Sequence, residues 1–156
     1  MNFLDKNKFP KLNFELYPIK VTKKQKKTLI WDSLRLTWLV LTPEEWVRQH
    51  TLNFLITTLN LPKELIKAEH PVCPGTNTCQ RIDLLVYNNS AKAHLLVECK
   101  AASVKISQST LDQAIRYNSE VKAKYIMLTN GLSHYFYSLD ERGLYQALED
   151  ISQINL

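Results

Sequence analysis

Two apolar runs separated by a short polar turn constrain the fold of this chain more than any other feature. Residues 84–87 and 95–97 flank an Asn-Asn-Ser turn and predict a β-hairpin. Asp83 precedes the first run and Glu98 follows the second, so folding the hairpin brings the two carboxylates together. Lys100 lies two residues beyond Glu98 on the same strand face. Two carboxylates beside a lysine at a sheet edge predict a divalent-metal site.

The rest of the chain alternates between strand and helix patterns. Aromatic and β-branched residues at 28–31 and 36–40 predict an N-terminal β-hairpin, and Thr42, Pro43 and Glu45 form a capping box that opens a helix. Further elements are predicted as follows: strands at 66–72, 80–87, 93–101, 125–129 and 134–139, a helix from about 107 to 121, and a short helix or irregular end from 145. This order predicts an α/β fold, with a mixed central β-sheet flanked by helices.

Length and composition indicate one folded domain. We expect residues 1–27 to form an N-terminal arm and residues 28–156 to form a single domain. No apolar run approaches the roughly 20 residues that span a bilayer, and no secretory signal is evident, so we expect a cytoplasmic protein without a membrane partner. An odd number of cysteines, three, argues against a disulfide framework. Cys99 alternates away from the predicted site and is expected to pack in the core.

The net charge of +5 and the pI of about 9.1 are compatible with a polyanionic partner such as DNA. Much of the excess lies in the lysine run between residues 20 and 27. Two interpretations stay open for this run: contact with phosphates, or a solvated connection before a strand.

Phosphodiester cleavage needs carboxylates that hold a metal ion and a cation that stabilises developing negative charge. Asp83, Glu98 and the backbone carbonyl of Cys99 can supply oxygen ligands, which favour Mg²⁺ or Mn²⁺ over zinc, and Lys100 can supply the cation.

In the next predicted helix, Gln113 and Tyr117 are four residues apart and lie on one face. They can hydrogen-bond a phosphate, a water or Lys100. The alternative is a surface helix with Tyr117 half buried.

Together these motifs resemble the PD-(D/E)xK nuclease superfamily, in the variety with a Gln-x-x-x-Tyr helix after the catalytic strand. More narrowly, the chain resembles the N-terminal domain of type I restriction enzyme R subunits, in their short, free-standing members. The resemblance covers about residues 28–139, and it rests on four segments: 41–50, 81–84, 97–101 and 128–131.

The resemblance implies a restriction-endonuclease-like core, metal ligands at Asp83 and Glu98, a catalytic Lys100, and Gln113 and Tyr117 bordering the site. A glutamate on the first core helix often joins the metal shell in this superfamily. Glu45 is the first candidate and Glu44 the second, although the capping box offers a purely structural role for Glu45. Ile82 stands where the motif has proline.

The predicted function is that of a Mg²⁺-dependent DNA endonuclease. The sequence has no P-loop motif, so ATP-driven translocation would require a separate helicase or translocase partner. The alternatives are a non-catalytic nucleic-acid-binding module on the same fold, and a protein-interaction module that forms a homodimer through the aromatic hairpin between Trp31 and Trp38.

Overall fold

A computed structural model describes residues 4–75 and 78–154 of the chain. Its strands are β1 Val21–Lys24, β2 Lys27–Asp32, β3 Thr37–Val40, β4 Ile66–Val72, β5 Gln80–Tyr87, β6 Ala93–Cys99, β7 Tyr125–Thr129, β8 His134–Leu139 and β9 Tyr145–Leu148. The α-helices are α1 Pro43–Asn53 and α2 Gln108–Val121. A π-helical turn at Phe54–Thr58 extends α1, and single 3₁₀ turns lie at Lys63–Leu65 and Ile151–Gln153. In the described ranges, no helix is long and apolar enough to cross a bilayer.

Six strands form the central sheet, in the order β4-β5-β6-β7-β8-β9. Strands β6 and β7 are parallel, and the other neighbours are antiparallel. Side chains of β6 alternate between two apolar clusters: Leu95 and Val97 pack with residues of α1, whereas Leu96 packs with residues of α2. The two helices therefore cover opposite faces of the sheet. The predicted fold class, a mixed central sheet flanked by helices, is confirmed.

The regular alternation of side chains along β5 is interrupted at Asp83. Leu84 packs on the α1 side and Leu85 on the α2 side, as regular alternation requires. Ile82 also packs on the α2 side, although strict alternation would place it with Leu84. The irregularity lies at Asp83, one residue beyond the Leu84–Val97 pair of β5 and β6. A local break in the pleat is a common way to redirect a side chain next to a functional site.

The predicted N-terminal hairpin is confirmed as β2 and β3. Trp31 lies opposite Trp38, with ring centroids 5.4 Å apart in an edge-on arrangement. The sequence analysis missed β1, which pairs with β2. The lysines of the 20–27 run are exposed: Lys20 precedes β1, Lys23 and Lys24 lie on β1, Lys26 lies in the turn and Lys27 begins β2. A homodimer formed through this hairpin stays a prediction.

The segment before β1 lies against the central body. Leu12 and Ile19 are buried in the apolar cluster that contains α1. The indole N–H of Trp46 donates to the Pro10 carbonyl at 3.0 Å. The side-chain amide of Asn13 donates to the Leu132 carbonyl at 2.6 Å. The division into residues 1–27 and 28–156 stays a prediction, and its boundary falls at the β1–β2 turn.

Two other expectations are wrong. A short helix or irregular end was expected from Tyr145, but Tyr145–Leu148 forms β9 and pairs with β8. Cys73 and Cys79 form a disulfide, against the expectation from the odd cysteine count. A turn at Pro74 and Gly75 reverses the chain and brings the two Cα atoms to 4.2 Å. Cys99 is buried and free, as expected.

Candidate functional site

Asp83 lies at the irregular point of β5 and is tied to the next strand. Its Oδ2 accepts a hydrogen bond from the backbone N–H of Cys99 at 2.7 Å. Burial, together with the charge of Glu98, raises the pKa of Asp83 from its usual 3.8 to about 7, although the Cys99 N–H and the charge of Arg48 lower it in part. The fold therefore holds this carboxyl group where its ionised form is poorly compensated.

Glu98 and Lys100 form a contact on the α2 side of the sheet. Lys100 Nζ donates to Glu98 Oε1 at 2.8 Å and to Gln113 Oε1 at 3.2 Å. The amide nitrogen of Gln113 donates to Glu98 Oε1 at 3.0 Å and to the Tyr117 hydroxyl at 2.7 Å. The structure therefore joins four of the predicted site residues in one hydrogen-bonded chain. Together with Asp83, these residues form what we call the carboxylate site.

The second oxygen of Glu98 distinguishes this site from an ordinary ion pair. Glu98 is 3% exposed, and its Oε2 is buried without a hydrogen-bond partner among the described residues. Burial raises the pKa of Glu98, which the hydrogen bond and charge of Lys100 lower only in part. Burial alone would lower the pKa of Lys100, but the hydrogen bond and charge of Glu98 raise it. A buried carboxylate oxygen without a donor is costly unless a cation or water satisfies it.

The two glutamates at the start of α1 lie in different surroundings. Thr42 Oγ1 accepts from the Glu45 N–H at 3.0 Å, which is half of the predicted capping box. The Glu45 carboxylate accepts instead from Arg48, and from Gln49 at 2.8 Å. Glu44 is exposed, and its negative charge raises the pKa of both carboxyl groups of the carboxylate site. Arg48 and Gln49 therefore bind the Glu45 carboxylate, and a metal-binding role for Glu45 or Glu44 stays a prediction.

A second group of charged side chains, which the sequence patterns did not predict, is buried or partly buried. We call it the arginine cluster, and its members are Asp32, Arg35, Glu45, Arg48 and Glu69. Arg35 donates through Nε to Asp32 Oδ2 and through Nη1 to Glu69 Oε2, at 2.7 Å in both cases. Arg48 forms ion pairs with Glu45 and, at 3.2 Å, with Glu69. Two pairs are local in sequence, since Asp32 and Arg35, like Glu45 and Arg48, are three residues apart. Glu69, on β4, is distant in sequence from its partners, and no local pattern indicates its contacts.

The residues present fit a divalent cation at the carboxylate site. Glu98 pairs with Lys100, the charge of Arg48 acts on Asp83, and Glu98 Oε2 has no hydrogen-bond donor among the described residues. Within the described ranges, no group of three or more His, Cys, Asp or Glu side chains is arranged to hold a metal ion. Any third protein ligand here would thus be a backbone carbonyl, such as that of Cys99, or an exposed side chain that moves, such as Glu44.

Comparison with known proteins identifies the family. The family model described as "Type I restriction enzyme R protein N terminus (HSDR_N)" matches residues 43–153. The chain therefore belongs to this family of restriction-enzyme domains. A comparison with curated proteins found no match.

Among solved structures, the type IIG restriction endonuclease BpuSI is similar to this chain at 22% identity, with a TM-score of 0.40. The likeness covers 62% of this chain and 11% of that protein. The chain therefore spans about a tenth of the length of BpuSI, and a TM-score of 0.40 is too low to assign a fold by itself.

Proposed function

We propose that this chain is a metal-dependent DNA endonuclease domain that hydrolyses phosphodiester bonds at the carboxylate site. The proposal is carried by one observation: the carboxylates of Asp83 and Glu98 interact with each other, and Glu98 Oε2 has no hydrogen-bond donor in the part of the chain that the structure describes. Membership of a restriction-enzyme family supports DNA as the substrate. The motif of Asp83, Glu98-x-Lys100 and Gln113-x-x-x-Tyr117 supports assignment to the PD-(D/E)xK nucleases.

Asp83, Glu98 and the backbone carbonyl of Cys99 would hold Mg²⁺ or Mn²⁺, since hard oxygen ligands favour these ions. When bound, the cation would supply Lewis acidity towards the scissile phosphate and towards a water molecule. Glu44 would lie at the border of this ligand set, where its charge already acts on both carboxyl groups.

Lys100 is placed to stabilise negative charge that develops on the phosphate. An ammonium group has three N–H donors, and two of them point to Glu98 Oε1 and Gln113 Oε1. The third donor would be available to a phosphate oxygen, where a positioned cation lowers the barrier most effectively. Gln113 fixes this orientation, because its amide group is itself held by Glu98 and Tyr117.

The test is cleavage of plasmid and single-stranded DNA in Mg²⁺ and then in Mn²⁺. The parent should cleave, whereas Asp83→Ala should lose activity by at least about 10²-fold, as expected when a group that stabilises the transition state is removed. Glu141→Ala removes an exposed carboxylate from a surface turn and is the matched control. Its activity should equal that of the parent.

A second readout separates metal binding from cleavage. Mg²⁺ should raise the Tm of the parent, because an ion that binds only the folded state stabilises it, and this shift should disappear in Asp83→Ala. Cleavage that survives in Asp83→Ala would refute the site assignment. Absence of both cleavage and the Mg²⁺ shift in the parent would favour a non-catalytic DNA-binding module instead. Absence of cleavage with a preserved Mg²⁺ shift would point to a required partner, such as a translocase.

A further inference from the structure

The lysine run at positions 20–27 carries a charge excess equal to the formal net charge of the entire chain. The sequence has 20 Lys and Arg against 15 Asp and Glu. The difference equals the number of lysines at positions 20, 23, 24, 26 and 27, so basic and acidic residues are equal in number elsewhere. These lysines are exposed, and no acidic residue lies between Glu15 and Asp32. The run also lies outside residues 43–153, the segment matched by the family model.

The tip of the N-terminal sheet, residues 24–27, combines two unfavourable features. Gln25 and Lys26 both have positive φ angles, 48° and 66°, in a two-residue hairpin turn where Asn-Gly is the favoured sequence. Lys24 lies directly opposite Lys27 on the neighbouring strand, and like charges in this arrangement repel each other. Backbone strain and charge repulsion at one exposed tip are features that often accompany binding sites.

The topology places this tip beside the N-terminal end of α1. The backbone N–H of Leu41 donates to the Thr28 carbonyl at 2.9 Å, and Leu41 directly precedes the N-cap residue of α1. Glu44, whose charge acts on the carboxylate site, lies in the first turn of that helix. At about 3.3 Å per residue, the tip extends no more than about 10 Å beyond the Thr28 carbonyl.

The sheet is also fixed in its orientation. Gln49 of α1 donates to Asp32 at the far end of β2 at 3.0 Å, and the Trp31 N–H donates to the Lys20 carbonyl at 3.0 Å. The lysines therefore project from a hairpin that hydrogen bonds hold in position. Such a surface loses less conformational entropy on binding than a flexible tail of the same charge would.

We propose that the tip formed by residues 24–27 contacts the phosphates of duplex DNA and holds the duplex beside the carboxylate site. This inference rests on the proposed function, because it names how DNA would be held there. The carboxylates repel a polyanion, and the lysines offset this repulsion by neutralising phosphates and releasing condensed counterions. Contacts to phosphates fix the position of a duplex and are independent of its sequence.

The experiment measures binding without cleavage. Fluorescence anisotropy of a labelled DNA duplex in EDTA is recorded while KCl rises from about 50 to 200 mM. The test variant combines Lys24→Gln, Lys26→Gln and Lys27→Gln. The matched control combines Lys63→Gln, Lys67→Gln and Lys92→Gln, which remove three exposed lysines elsewhere on the described surface. Circular dichroism verifies that both variants keep the parent fold.

The test variant should bind DNA about tenfold or more weakly at about 100 mM salt. The slope of log K against log salt should become shallower by about 2.7, since each phosphate contact contributes about 0.9. The control should keep the parent slope. Equal losses in the two variants, or a parent slope in the test variant, would overturn the proposal. So would a parent that binds anionic phospholipid vesicles but not DNA.

The failure of this inference and that of the proposed nuclease function give different results. If the parent binds DNA through the tip but cleaves nothing in Mg²⁺ or Mn²⁺, only the nuclease function fails. If the parent cleaves and the test variant binds DNA as the parent does, only this inference fails.

Discussion

The arginine cluster and the carboxylate site both contain buried carboxylates, but only the arginine cluster compensates their charge. In the arginine cluster, Asp32 accepts four hydrogen bonds: two from backbone N–H groups, one from Arg35 Nε and one from Gln49. Burial by itself would raise the pKa of Asp32, but these bonds and the charge of Arg35 hold it below its usual value. In the carboxylate site, burial and mutual repulsion raise the pKa of Asp83 to about 7.

The difference teaches how to separate a structural cluster from a functional one in this molecule. A cluster that only holds the fold together gains stability when its buried carboxylates are paired. In the arginine cluster the buried atoms without a hydrogen-bond partner among the described residues are nitrogens, Arg35 Nη2 and Arg48 Nη1, and not carboxylate oxygens. A site that must bind a cation cannot be paired completely beforehand, because its ligands have to remain available. Uncompensated carboxylates are therefore expected to cost stability until the ion arrives, as in other functional sites. The following predictions, in order of decreasing effect, test this contrast through stability.

The largest effect is expected for Arg48→Met in the arginine cluster. This change leaves the charges of Glu45 and Glu69 without their buried partner, and we expect unfolding free energy to fall by about 3–5 kcal/mol. Urea denaturation measures it. Arg81→Met is the matched control, because Arg81 also pairs with Glu69 but is 69% exposed. The Arg81→Met substitution should lower the free energy of unfolding by less than about 1 kcal/mol. Equal losses in the two variants would show that burial does not distinguish the two arginines.

A smaller loss is expected for Asp32→Asn. The amide keeps one oxygen acceptor but turns an N–H₂ group towards donors on Arg35 or Gln49. We expect the free energy of unfolding to fall by about 1–3 kcal/mol at pH 7. Because the folded pKa of Asp32 is below the unfolded 3.8, its stabilisation is present above pH 3.8 and is lost as the pH falls through the folded value. The difference between parent and variant should therefore narrow below pH 3.8. A difference that stays constant down to pH 2 would contradict the role given to the Asp32 charge.

The smallest effect has the opposite sign and concerns Asp83→Asn. Between pH 3.8 and about 7 the unfolded chain releases the Asp83 proton while the folded chain retains it, so the folded state loses stability as pH rises through this window. The shift of the Asp83 pKa corresponds to about 4 kcal/mol, and the exchange of a carboxyl group for an amide offsets most of it. At pH 8 without metal, the variant should therefore be more stable than the parent, with a Tm about 2–4 °C higher, which corresponds to about 1 kcal/mol. Near pH 4, where the folded parent keeps its Asp83 proton, the variant should be the less stable of the two. A lower Tm for the variant at pH 8 would place Asp83 with the structural carboxylates.

Local sequence patterns predicted much of the carboxylate site. Strand alternation places Glu98 and Lys100 on one face of the sheet, and helical spacing places Gln113 and Tyr117 on one face of α2. Packing of α2 on the sheet then brings the four side chains into contact. The fold class followed from the same periodicities. These signals are local, and tertiary packing in this molecule agrees with them.

The parts that sequence reasoning missed depend on distant partners. The capping box predicted that the Glu45 side chain turns back to the helix start, but its carboxylate accepts from Arg48 and Gln49 instead. A metal-binding role for Glu45 stays a prediction. The Arg35–Glu69 pair joins residues 34 positions apart, and no periodicity indicates it. Strand β1 was missed because lysine-rich residues rarely form strands, and only its pairing with β2 makes it one.

The contact between the N-terminal segment and the β7–β8 turn has a consequence for synthesis of the chain. Asn13 hydrogen-bonds the carbonyl of Leu132, 119 residues later, and its backbone N–H donates to the Gly131 carbonyl at 2.7 Å. A ribosome adding about 5–20 residues per second needs roughly 6–24 s to make that intervening stretch. Throughout this time Leu12 and Asn13 lack their partners in the β7–β8 turn, although α1 has already been made. The packing of this early segment is thus completed only after the β7–β8 turn has been synthesised. A chaperone that shields the segment would act in this interval.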